Sequence, residues 1–192
     1  MAGILERPTA PTRHRLDVDA YYKMAEAGIF SEPSRVELIE GDVIDMTPIG
    51  SGHAGNTNRL VRAFARAAAD GSVLLTVQTP LRLDRYTEPQ PDVMLLRPRP
   101  DDYKGGHPSA PDVLLLVEVS DGSLAHDRST KLRLYAQFGV PEVWVVDIPG
   151  GAVEVYREPK DGAYARSERL TARRLSPALV PQIAIDVAKL LA

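Results

Sequence analysis

Glu118 stands inside the apolar run Val113–Ser120, VLLLVEVS, where a carboxylate has few ways to stay ionised. Taking it out of water costs several kcal/mol unless it is paired, protonated or bound to a metal. Two other residues have the type and spacing to supply a partner. Asp92 follows Pro91 at the start of the short apolar run VMLL, and Lys131 lies in the stretch after Glu118. Two carboxylates on adjacent strands, converging on one side of a sheet, form a hard oxygen site suited to Mg²⁺ or Mn²⁺ with water as nucleophile. A lysine reaching that site can orient or deprotonate the water and stabilise charge on a phosphate. Each residue also has a plainer role open to it. An Asp at a strand start is often a cap or turn residue, a helix lysine is often solvated, and Glu118 and Lys131 can simply neutralise one another in the core.

These side chains need a sheet and a helix to hold them. Period two puts Leu114, Leu116, Glu118 and Ser120 on one face of the central strand and Val113, Leu115, Val117 and Val119 on the other. Apolar residues on both faces imply burial. Residues 127–139 read as a helix, with Asp127 as cap, Lys131 and Tyr135 one turn apart and Gly139 as terminator. Residues 143–147, VWVVD, make another buried strand, so the strand-helix-strand order predicts parallel pairing with the strand of Glu118.

Upstream, residues 16–28 predict a short helix capped by Asp17 or Asp19 and closed by Gly28. Residues 35–46 alternate about Glu40-Gly41 as a hairpin, and residues 53–70 predict the longest helix of the N-terminal half, with Leu60 and Phe64 on its apolar face. Residues 73–78 and 81–83 are strand-like on either side of Pro80, and residues 97–111, rich in Pro, Gly and charge, are a loop. After Pro149-Gly150-Gly151, VEVYRE and residues 164–170 pair as strands. Residues 1–15 read as an irregular arm and residues 16–192 as one α/β domain with a mixed central sheet flanked by helices.

Composition narrows the function classes. At 192 residues with 44% apolar content, the chain has the length and core of one soluble globular domain. Cysteine is absent, which removes disulfides, thiolate metal sites and cysteine nucleophiles, and fits the cytoplasm. No run approaches the roughly 20 apolar residues of a membrane span. The net charge of −3 excludes a strong basic field over the whole molecule, the feature that drives non-specific duplex coating.

The run PQPDV, then LVEVS, then D-x3-K-x3-Y with GVPEVWVVD after it, resembles the Uma-type restriction endonucleases, a branch of the PD-(D/E)xK nuclease superfamily. The resemblance extends from about Asp17 to the C-terminus, including the EGD hairpin and the His53 helix start. It implies a restriction-endonuclease-like fold and a Mg²⁺-dependent (or Mn²⁺-dependent) endonuclease acting on nucleic acid, DNA in the first place. Pro91 and Asp92 would supply the first half-motif and Glu118 the acid of the second, both carboxylates holding the metal. Ser120 stands where the superfamily usually has lysine, and Lys131 is the candidate for that lysine moved to the next helix. Glu40 resembles the extra acidic residue ahead of the core. His53 and Gln90 resemble further pocket residues, and Tyr135 would hold Lys131 or contact substrate. A homodimer would allow two related sites to cut both strands of a duplex. The alternative is a catalytically inactive nuclease fold kept as a binding or dimerisation module, which Ser120 and the acidic charge balance favour. No clustered basic stripe marks a reading surface, although Arg59, Arg62 and Arg66 on the long helix, or Arg97, Arg99 and Lys104 in the loop, are available for phosphates.

Overall fold

The computed structural model describes residues 12–30 and 35–192. The arm expected over residues 1–15 falls mostly outside the described residues, and residues 12–15 carry no regular structure. Asp17 caps helix α1 (Val18–Glu26), its carboxylate accepting the Ala20 N–H at 2.8 Å. The hairpin follows as β1 (Val36–Ile39) and β2 (Asp42–Asp45), turning through Glu40 and Gly41, both with positive φ. Gly41 is needed there for space as well as conformation, since a Cβ would come within 2.6 Å of Arg15 Cβ. Helix α2 (Ser51–Ala67) starts two residues earlier than its patterning predicts, buries Leu60 and Phe64 completely, and gives way to a 3₁₀ turn at Ala68–Asp70.

The central sheet has six strands in the order β3 (Leu74–Val77), β4 (Val93–Leu96), β5 (Val113–Ser120), β6 (Glu142–Asp147), β7 (Ala152–Lys160) and β8 (Ala163–Leu170). β5 and β6 are parallel, with Glu118 opposite Val145, and all other neighbours are antiparallel. The sheet is therefore mixed and the fold α/β. Period two holds along β5 from Leu115 to Ser120. It fails earlier: a bulge against Leu95 and Leu96 turns Leu114 into the same apolar layer as Leu115 and sends Val113 to the opposite one. Residues 81–83 do not form a strand; Arg82 sits in an isolated bridge with Ser109.

The crossover between β5 and β6 departs most from expectation. In place of one helix over residues 127–139 there are α3 (Leu124–His126), a π-helical turn at Asp127–Lys131 and α4 (Leu132–Gln137). The Leu132 N–H bonds to the Asp127 carbonyl, five residues back. Asp127 is not a helix cap. Its side chain is buried and accepts the Ser120 and Ser123 hydroxyls, each at 2.6 Å. Gly139, with φ of 78°, ends the segment as its position predicts.

Two apolar layers cover the sheet. On one side Leu115, Val117 and Val119 meet α2 and the tail of β9 (Arg174–Leu175), β10 (Ile185–Asp186) and α5 (Val187–Leu191), with the Phe64 and Trp144 rings 6.0 Å apart. On the other, Leu116, Val143 and Val145 pack against Leu132 and Tyr135. Glu118 shares the face of Leu116, so it points toward α4. Among the described residues no helix is long and apolar enough to cross a membrane.

Candidate active site

Asp92, Glu118 and Lys131 line one cavity of about 660 Å³. Asp92 enters β4 directly after Pro91 and is 5% exposed, its Oδ2 accepting the Val119 N–H at 2.8 Å and facing His53 Nε2 at 3.0 Å. Glu118, 3% exposed, accepts the Tyr135 hydroxyl on Oε1 at 2.6 Å. Lys131 Nζ lies 3.2 Å from that same oxygen and 3.0 Å from Glu37 Oε1. Glu37 is itself 2% exposed and takes the Gln90 N–H at 2.7 Å. Four elements thus converge: β1 brings Glu37, the start of β4 brings Asp92, β5 brings Glu118, and the π turn brings Lys131.

Burial sets the electrostatics and the carboxylates modify it. Loss of water pushes Glu118 up to about 8, against the pull of Lys131 and helped by Asp127, Asp92 and Glu37. For Lys131 burial works downward, but Glu118 and Glu37 outweigh it and hold the ammonium well above the usual lysine range. Burial, then Glu118 and Glu37, also keep the Tyr135 hydroxyl protonated. An ammonium so held donates hydrogen bonds and does not accept a proton. Of the two roles the sequence offers Lys131, this geometry favours charge stabilisation over deprotonation.

The other predicted residues divide. His53 and Tyr135 join the cluster, holding Asp92 and Glu118 respectively. Gln90 joins through its backbone N–H alone. Ser120 is completely buried, with its hydroxyl spent on Asp127. Glu40 is outside: it sits exposed at the hairpin turn and pairs with Arg133 at 2.5 Å. The hairpin acid that reaches the cavity is Glu37, three residues earlier. Its alternation with Val36 and Leu38 marks it as the solvent face of a two-stranded hairpin, and only the packing of the π turn and of residue 90 over that face reveals otherwise.

The donor set fits a small divalent cation. Asp92 Oδ1 and Glu118 Oε2 accept no hydrogen bond among the described residues and are not sealed from the cavity. Mg²⁺ takes one or two carboxylates and keeps several waters. No group of three or more His, Cys, Asp and Glu side chains forms a ready-made metal cage among the described residues, so water would complete the shell.

A family model described as "Uma2: Putative restriction endonuclease" matches residues 18–188. The chain belongs to the Uma2 family. Among curated proteins no sequence matches. Among solved structures, this Uma2 chain is similar to one titled a putative nuclease belonging to DUF820 from Anabaena variabilis ATCC 29413, at a TM-score of 0.70 and 15% identity over 92% of this chain and 97% of that one. At that identity the likeness establishes the shared fold, and within it the Uma2 chain carries its buried acids at the start of β4 and near the end of β5.

Proposed function

We propose that this Uma2 protein is a Mg²⁺-dependent (or Mn²⁺-dependent) endonuclease hydrolysing phosphodiester bonds of DNA. The observation that carries this reading is the convergence of Asp92, Glu118 and Lys131 on one cavity, each at most 5% exposed. Asp92 and Glu118 would hold the cation, which when bound supplies Lewis acidity toward the phosphoryl oxygens and lowers the pKa of water. The chain's own groups do the rest. His53 and the Val119 N–H fix Asp92, and Tyr135 fixes Glu118, so that one oxygen of each carboxylate faces the cavity. Lys131 meets the negative charge that grows on the phosphoryl oxygens as water attacks in line, and Glu37 holds the ammonium in place.

The test is a nuclease assay with and without Mg²⁺ or Mn²⁺ on the wild type, Asp92→Ala and Glu118→Ala. Cleavage should need the ion and both acids, and equal activity in all three proteins removes the assignment. Sedimentation of the protein with DNA reads the homodimer that paired cuts in a duplex would need. The competing reading, an inactive binding or dimerisation module, draws on Ser120 at the usual lysine position and on the commitment of Lys131 to two carboxylates. Calorimetry with Mn²⁺ separates the two, since a vestigial site shows no heat that depends on Asp92.

A further inference from the structure

The cavity is larger than a phosphate requires, and its lining is of two kinds. Its volume of about 660 Å³ lies within the ~300–1,000 Å³ range of pockets that enclose small organic ligands. Glu37, Asp92 and Glu118 make one part acidic. β2 and the loop after it bring Ile44, Met46, Pro48 and Ile49 to another part, with Asp45 and Thr47 between them. Ile49 leaves 40% of its surface exposed, although large apolar side chains are mostly buried in this fold.

Unpaired polar atoms cluster in the same place. Arg35 Nη2, His53 Nδ1 and His126 Nε2 are buried without a hydrogen-bond partner among the described residues, and all three residues line this cavity. Buried polar groups ordinarily find partners, and these three lie just behind the cavity wall, closed to it as the side chains stand, so a ligand meets them only when the side chains turn toward it. A phosphate accounts for the acids and Lys131 once a cation is present, but it leaves the apolar wall and the ring nitrogens unused. A nucleobase uses both, with its face on the aliphatic side chains and its polar edge toward the guanidinium and imidazoles. Bases of an intact duplex are stacked and paired and cannot enter.

We infer that the cavity seats one unpaired nucleotide of a nucleic-acid strand, with its phosphate at Asp92 and Glu118, its base against Ile44, Met46 and Ile49, and the base edge bonded by Arg35 and His126 once their side chains turn into the cavity. This rests on the proposed phosphodiester hydrolysis and names the substrate class of that site: single-stranded or locally unpaired nucleic acid.

The test uses the full chain with Mn²⁺ and one labelled oligonucleotide in three forms: single strand, perfect duplex, and duplex with an unpaired loop, each as DNA and as RNA. Single strand and loop should be cut about tenfold or more faster than the perfect duplex, because extruding a paired base costs a few kcal/mol. Ile49→Asp should slow cleavage of the single strand by about tenfold, while Ile49→Leu stays near wild type. Perfect duplex cut as fast as single strand, or Ile49→Asp without effect, overturns the inference. If no form is cut, the hydrolysis reading fails by itself, and fluorescence anisotropy of the same oligonucleotides in Ca²⁺ decides the pocket. Tighter binding of the single strand, lost in Ile49→Asp, supports it; equal binding of strand and duplex, or no change on substitution, overturns it.

Discussion

Replacing Lys131 by methionine separates the two jobs its position allows. The substitution removes the ammonium from between Glu37 Oε1 at 3.0 Å and Glu118 Oε1 at 3.2 Å. Burial already pushes Glu118 toward its neutral form, so of the two carboxylates left behind Glu37 is the one whose partner the substitution removes. Among the described residues Glu37 keeps the Gln90 N–H alone. Breaking a buried pair by removing one partner costs about 3–5 kcal/mol, and the surviving hydrogen bond puts the expected loss near the low end. For a chain of this length about 3 kcal/mol lowers Tm by about 6–12 °C. Cleavage should fall by about 10²–10³, the cost of removing one donor to transition-state charge. The double substitution Glu37→Gln with Lys131→Met distinguishes the causes, because the amide still accepts the Gln90 N–H but leaves no orphaned charge. It should regain most of the lost stability in urea melts and none of the lost rate. If rate returns together with stability, Lys131 is a structural counter-ion and its catalytic role is refuted.

Glu118 predicts a pH dependence whose sign follows from its raised value. Between the ordinary 4.5 and about 8 the folded chain binds more protons than the unfolded one, so stability falls as pH rises through that window, by up to about 4 kcal/mol in chelator. Urea melts at pH 5 and 8 measure this, and a flat profile contradicts it. Mn²⁺ should reduce the slope and release protons on binding, read as a buffer-dependent heat in calorimetry. Glu118→Gln keeps an acceptor for Tyr135 and removes the charge, so in chelator at pH 8 it should melt above wild type while losing Mn²⁺ binding; a lower Tm argues against the burial cost assigned to this acid. Glu40→Ala breaks only the exposed pair with Arg133 and should change stability by less than about 1 kcal/mol, with cleavage unaltered, whereas Glu37→Ala should impair both.

What the sequence made legible was the periodic part. β5 and β6 read as buried strands around a helical crossover, and their parallel pairing followed from that strand-helix-strand order. Glu118 was visible because a charge in an apolar strand is rare enough to require an explanation, and Lys131 because the helix after that strand offers it a partner. Glu37 was hidden by the same rule that exposed Glu118. In a two-stranded hairpin an acid alternating with Val36 and Leu38 is the normal solvent face, and its burial comes from tertiary packing alone. Gln90 contributes a main-chain N–H, which carries no residue signature. The bulge at Leu114 was equally silent, since VLLLV reads as apolar in either register.

The π turn explains how the lysine comes to lie on a helix at all. Asp127, Lys131 and Tyr135 are spaced four apart, and all three contact the face of β5 that bears Glu118 and Ser120. On an ideal α-helix each step of four advances about 40° past a full turn, so a stripe of three drifts by about 80°. Opening the first step into a π turn takes up part of that drift, and Lys131 and Tyr135 then both reach Oε1 of Glu118 while Asp127 stays on Ser120. The strand position two beyond Glu118 cannot hold a lysine in this arrangement, because Ser120 is sealed against Asp127, the residue that opens the π turn. The serine at 120 and the lysine at 131 are therefore two ends of one packing solution, in which the helix, anchored by Asp127, brings to Glu118 the cation that the strand does not.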